Sequence, residues 1–197
     1  MQRISLVNIA HDLIKGIIHP GDIAIDATVG NGHDTVFLTE QIGPSGRVYG
    51  FDIQQVAIDS TLEKFRRTRL SDCLTLIHAS HANMDNVIPE HFHGKINAIM
   101  FNLGYLPGGD KSVITQVEST LTALTIASRI LADNGIITLL AYPGHQGGDL
   151  ETHQVKNWCD QLDARQFEVS AIYSAGLKDS APRLFVIRKH PVPIDSA

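Results

Sequence analysis

Two glycines after a short apolar run, Gly30 and Gly32, and an aspartate twenty residues further on, Asp52, are the residues of this chain best suited to chemistry. The glycines belong to the segment Asp26-Ala27-Thr28-Val29-Gly30-Asn31-Gly32-His33-Asp34-Thr35. Glycine lets the backbone turn tightly and approach a ligand with no Cβ in the way. A helix starting at about His33 would offer the free N–H groups of its first turn to whatever binds there. A carboxylate at the end of the following strand can accept hydrogen bonds from both hydroxyls of a ribose. The segment therefore predicts a nucleotide-type site built from Asp26, Thr28, Gly30, Asn31, Gly32, His33 and Asp34, with Asp52 and Gln54 opposite. The same pattern also suits a glycine turn that only closes a βα unit, with Asp52 as a surface acid.

The class of nucleotide follows from what the loop lacks. A dinucleotide fingerprint needs a third glycine three residues after Gly32, and Thr35 stands there. No Gly-Lys-Ser/Thr follows, so a P-loop phosphate cradle is also missing. An acid at the loop's opening, Asp26, repels a pyrophosphate but can serve a cationic amino group, directly or through water. S-adenosylmethionine (SAM) has ribose, adenine and an amino acid but no phosphate, and fits. Asp26 equally suits a carboxylate that only stabilises the turn.

Further candidates sit where later strands should end. Asn102, in Asn102-Leu103-Gly104-Tyr105, can hold the N–H groups of an amine and aim its lone pair; Tyr105 closes that motif as a substrate contact. Methyl transfer to a neutral amine needs orientation more than a strong base. Tyr142 offers a ring that can stack on a ligand or simply pack, and His145 a titratable ring that can serve chemistry or only the turn. Asn102, Tyr142 and His145 are thus the catalytic candidates. His81, after the third strand, is placed to touch an adenine, and Arg183, in a hairpin loop, to touch a phosphate. His78 with His81, and His91 with His93, have chelating spacings, yet no Cys or carboxylate pattern completes a set, so no metal is expected.

The elements that must position these residues alternate regularly. Val7–Ile18 reads as a helix ahead of the sheet. Strands are expected at 23–27, 47–52, 73–78, 96–101 and 136–141, and helices from His33 to Gly43-Pro44, at 56–70, 111–131 and 149–162. In the 56–70 helix Ile58, Leu62 and Phe65 share a face, with Lys64, Arg66, Arg67 and Arg69 mostly outside it. Two β-rich stretches close the chain, 167–173 and 184–188. Their connection is too short for a helical crossover and makes them antiparallel. This is the strand plan of a Rossmann-like class I methyltransferase: an α/β fold with a mostly parallel seven-stranded sheet and a C-terminal antiparallel hairpin. The chain should be one domain over 1–197, with 190–197 as a loose, proline-bearing tail.

Composition fits. The chain has 197 residues, 43% of them hydrophobic and 19% charged, and ends its longest apolar runs far short of a membrane span. No signal-type stretch opens it, and two cysteines, Cys73 and Cys159, give no disulfide framework, which suits the cytoplasm. A net charge of −5 excludes a protein that coats nucleic acid nonspecifically, though not a small RNA met by a local basic patch.

The glycine segment, Asn102-Leu103-Gly104-Tyr105-Leu106-Pro107-Gly108-Gly109-Asp110 and Tyr142-Pro143-Gly144-His145-Gln146-Gly147-Gly148 closely resemble a bacterial family first described as rRNA methylases. The likeness covers nearly the whole chain. It implies SAM as cofactor and, for the function, N-methylation of the 5-aminomethyl group of 2-thiouridine at the tRNA wobble position, with an anticodon stem-loop as partner. That RNA substrate rests on the resemblance alone. A SAM enzyme acting on rRNA, a metabolite or a protein, and a noncatalytic RNA-binding relative, are the alternatives. A homodimer is compatible with the sequence, and no membrane partner is expected.

Overall fold

The computed structural model describes residues 5–66, 68–106, 108, 114–144, 147–174 and 180–192. In chain order the elements are α1 (Leu6–Lys15), β1 (Ile23–Asp26), α2 (His33–Ile42), β2 (Arg47–Asp52), α3 (Gln55–Phe65), β3 (Leu74–His78), the single turn α4 (Met84–Val87), β4 (Ile96–Asn102), α5 (Val117–Ile130), β5 (Leu131–Ala141), α6 (Gly148–Asp160), β6 (Phe167–Tyr173) and β7 (Arg183–Lys189). They build one seven-stranded sheet in the order β3-β2-β1-β4-β5-β7-β6. β1 to β5 pair in parallel, and β7 runs antiparallel to both β5 and β6. The expected sheet and its closing hairpin are therefore the observed ones.

Alternation along the central strands feeds two cores. Ile99 and Phe101 of β4 face α4, α5 and α6, together with Ile25, Phe51, Ile137 and Leu139. Ala98 and Met100 face the opposite way, against Leu6, Ala10 and Ile14 of α1 and Phe37, Leu38 and Ile42 of α2. Both faces of a parallel strand are thus dry, which is why β4 reads as a near-continuous apolar run, broken only by Asn97 before its last residue.

Three sequence expectations need correction. Leu62 does not share the buried face of α3: it is 48% exposed, while Ala57, Ile58, Thr61 and Phe65 turn inward. The small Thr61 is buried because the glycine loop lies directly on it. The helix expected to reach Leu131 and stop at Asn134-Gly135 ends at Ile130, and Leu131 already pairs with Ile96. Asn134, with φ of 61°, and Gly135 instead sit where the β4–β5 register shifts. The tail is tied at its start, where the backbone N–H groups of His190 and Val192 donate to the Gln166 carbonyl and the Asp133 carboxylate. Residues 193–197 lie outside the described residues.

Among the described residues no helix is long and apolar enough to cross a membrane.

Candidate functional site

The C-terminal ends of β1 to β5 open into a cavity of about 1090 Å³. It lies where the chain leaves β1 for β2 on one side and β4 pairs on the other, the switch point at which open α/β sheets take ligands.

The glycine loop forms its floor. Val29 N–H donates to the Phe51 carbonyl at 3.0 Å, extending the β1–β2 ladder, and the loop then turns at Gly30 (φ 51°) and Gly32 (φ 72°). Asp52 joins two turns: Oδ2 accepts from Gly30 N–H in the glycine loop and Oδ1 from Gln54 N–H ahead of α3, each at 2.8 Å. Each oxygen keeps a second lone pair. Thr28 locks the loop to the neighbouring strand, its Oγ1 accepting from Asn102 N–H at 2.7 Å. Lys64 reaches over from α3 and donates to the Asn31 carbonyl. Thr28, Gly30, Asn31, His33, Asp34, Asp52 and Gln54 all line the cavity.

Gly32 and Asp26 do not, and here the structure corrects the sequence reading. Gly32 packs the loop against α3; a Cβ there would stand 2.5 Å from Thr61 Oγ1. Asp26 is fully buried beneath the loop, its Oδ1 accepting from Thr28 N–H at 3.1 Å and its Oδ2 from the Thr35 hydroxyl at 2.6 Å. No direct contact with a bound amino group is open to it, and its carboxyl fixes the turn. Burial above all, reinforced by repulsion from Asp34, raises its pKa from 3.8 to about 7, against the donation from Thr35 and Thr28.

That shift carries a stability consequence. Between about pH 4 and 7 the folded chain holds a proton on Asp26 that the unfolded chain has released, so this group's contribution to stability falls as pH rises. Asp26→Asn keeps an acceptor for Thr28 N–H and reverses the second bond, its amide N–H donating to the Thr35 oxygen, without ionising. Denaturant titrations should show stability declining less steeply from pH 4 to 7 in Asp26→Asn than in the parent. Equal slopes would place the pH dependence elsewhere.

At the β2–β3 end of the cavity stands His81. It is buried, its Nδ1 meets the Ala27 carbonyl at 3.0 Å, and its Nε2 has no partner among the described residues. Burial lowers its pKa and keeps the ring neutral. With Nδ1–H donating to the carbonyl, Nε2 is a bare acceptor, a costly thing to bury unless a ligand donor reaches it. Of the other histidines weighed for metal, His78 and His93 each hold a backbone carbonyl through Nε2.

Asn102 ends β4 between the two halves of the cavity, and no described residue bonds its carboxamide. Its loop is braced from behind. Gly104 N–H donates to Thr115 Oγ1 at 2.9 Å, and the Thr115 hydroxyl donates to Glu151 at 2.7 Å. The buried Glu151 also receives the Thr120 hydroxyl at 2.7 Å. Tyr105, 39% exposed, bridges to Ile114 and lines the cavity. Tyr142 lines it from the end of β5, its phenol pKa pushed up by burial and then by the nearby Asp34. Asp34 points the same way, and its Oδ1 meets His11 Nε2 of α1 at 2.7 Å.

Arg183 is not at the cavity. It is the first residue of β7, paired with Ala141 and Tyr173, and its guanidinium lies 5.6 Å from the Tyr173 ring centre. The hairpin loop does reach the site, but through Ser180 and Pro182. His145 lies outside the described residues.

Several lining residues escaped the sequence reading, among them Ser5 and Asn8 from the start of α1 and Glu118 from the first turn of α5. Among the described residues the lining holds three carboxylates, Asp34, Asp52 and Glu118, and no lysine or arginine. A pyrophosphate would be repelled here, and a cationic ligand held.

Comparisons with known proteins agree with this architecture. The model of the family described as "Putative rRNA methylase" matches residues 48–188. A protein of Arabidopsis thaliana named tRNA (mnm(5)s(2)U34)-methyltransferase, chloroplastic, is 40% identical over 162 residues, 78% of this chain. The match spans 58% of that longer protein. The crystal structure of a Clostridium thermocellum protein described as "putative rRNA-methylase" superposes with a TM-score of 0.89 at 39% identity, covering 96% of this chain and all of that one. A Streptococcus mutans protein described as "a putative methyltransferase" and solved with S-adenosylhomocysteine (SAH) gives 0.82 at 34% identity, over 94% of this chain and 98% of that one.

Proposed function

The chain belongs to the rRNA methylase family, and on that premise we propose that it is a SAM-dependent methyltransferase that N-methylates the 5-aminomethyl group of 2-thiouridine at the wobble position of tRNA. The observation that carries the cofactor is Asp52. It ties the glycine turn at Gly30 to the β2–α3 turn at Gln54 while presenting free lone pairs to a cavity that has carboxylates and no basic residue among its described lining. The orphaned His81 Nε2 supports the fit. When bound, SAM supplies a methyl group on a cationic sulfonium.

The residues would divide the work as follows. Asp52 accepts the ribose hydroxyls, and His81 accepts an amino N–H of the adenine. Gly30, Asn31 and His33 close on the amino-acid end. Asn102 holds the acceptor amine and aims its lone pair, on a loop that Glu151 and Thr115 keep rigid. Tyr142 and Tyr105 offer faces for a base splayed out of the anticodon loop. His145 would assist the proton's departure.

The choice of tRNA over rRNA rests on the Arabidopsis relative's name. Transfer of labelled methyl from SAM tests it: label should enter bulk tRNA and neither ribosomal RNA nor a small-molecule extract. Label confined to ribosomal RNA would favour the rRNA reading, and a chain that binds no SAM would remove the enzyme reading altogether.

A further inference from the structure

The cavity has two acidic ends, and the proposed cofactor uses only one of them. Asp52 and His81 stand at the β2–β3 end. Asp34, at the start of α2, faces the opposite way, toward α1 and the end of β5. Its side chain is 9% exposed and lines the cavity. His11 Nε2 occupies Oδ1 at 2.7 Å, and no described residue donates to Oδ2. His11 is itself fixed, stacked on Phe37 with ring centres 3.8 Å apart and planes within 2°. The charged and titratable groups around Asp34 are His11 and Lys15 on α1, Asp26 below, Tyr142 after β5, and His33 on its own helix. His11 takes Oδ1 and Lys15 lies over the Phe37 ring, which leaves Oδ2 as the acceptor of a side chain that lines the cavity.

We propose that Asp34 recognises the charge of the acceptor amine that Asn102 orients, that His11 holds Asp34 in position, and that this carboxylate makes the site specific for a nucleobase side chain ending in an amine. This inference rests on the methyltransferase reading above. The ammonium form of the acceptor docks on Oδ2 and then loses a proton to solvent. The nitrogen lone pair forms the new N–C bond as the C–S bond of the sulfonium breaks, with its electron pair left on sulfur. Positive charge therefore arrives at nitrogen during the step, next to a fixed carboxylate that counterbalances it. The same carboxylate holds the bound amine in its ammonium form to higher pH, as an opposite charge within a few ångströms does. A neutral side chain gains nothing from Asp34, and an acidic one is repelled. Asp34 is the catalytic residue here, and His11 a positioning residue that acts through it.

Asp34→Asn preserves the hydrogen bond to His11 and removes the charge. With SAH bound, the parent should prefer an anticodon stem-loop carrying 5-aminomethyl-2-thiouridine over one carrying 5-hydroxymethyl-2-thiouridine by about tenfold, one charge-assisted hydrogen bond. Asp34→Asn should lose that preference, with SAH affinity unchanged by calorimetry. Its turnover should fall about 100-fold on the plateau, the low end of single-group electrostatic effects. The rising limb of its pH–rate profile should move to lower pH by roughly one unit. His11→Ala should lose turnover several-fold with SAH affinity intact, and His11→Gln, whose amide can still donate to Oδ1, should recover part of it. A preference that survives in Asp34→Asn, or an unmoved profile, overturns the proposal. Loss of SAH binding in Asp34→Asn assigns Asp34 to the cofactor and overturns it too. A parent that binds no SAH refutes the methyltransferase reading instead.

Discussion

Asp52→Ala should weaken SAH binding by about a thousandfold. Two ribose hydroxyls donating to one carboxylate are charge-assisted hydrogen bonds, roughly 1.5–3 kcal/mol each, and every 1.4 kcal/mol is tenfold in affinity. The structure adds a second loss. The same carboxylate receives Gly30 N–H and Gln54 N–H, so alanine also frees the turn that the ligand lies on. Asp52→Asn is no conservative escape: an amide offers one acceptor oxygen where two backbone donors converge, and its NH₂ must face the other. Calorimetric titration with SAH decides it, and equal affinities for parent and alanine variant would remove Asp52 from the site.

Asn102→Ala should separate binding from chemistry. The backbone of Asn102 is fixed by Thr28, a contact that alanine keeps, so SAH affinity should stay within about twofold; a backbone bond is untouched by a side-chain truncation. Turnover should fall on the order of 10²- to 10³-fold, because a group that orients the attacking nitrogen works only as the transition state forms. Single-turnover rates at saturating SAM measure it. Unchanged turnover would reduce Asn102 to a residue that ends a strand.

Much of this arrangement was legible in the sequence because it is local. The Gly30–Gly32 turn, the acid at the end of β2 and the polar head of the β4 loop are fixed by spacing within one βα unit, and the hairpin's direction by the shortness of its connection. What the sequence hid depends on which way a side chain points or on distant partners. Asp26 ends β1 and Gly32 closes the loop that follows, yet both point away from the cavity, one under Thr28 and Thr35 and the other onto Thr61. The His11–Asp34 pair joins residues 23 apart, and Thr115–Glu151 residues 36 apart. No periodicity reports either: His11, Asp34 and Glu151 sit on helices whose apolar faces alone are patterned, and Thr115 sits in the loop ahead of α5. Arg183 misled for a different reason: the strand begins one residue earlier than expected, which takes it out of the loop and into the ladder.

Nucleoside mass spectrometry of tRNA from cells lacking this gene tests the central claim most directly. The account predicts that the methylated wobble nucleoside disappears and that its unmethylated 5-aminomethyl-2-thiouridine precursor accumulates, with restoration by the parent gene and not by one encoding Asn102→Ala. A normal level of the methylated nucleoside, in cells with no second enzyme for it, would contradict the account.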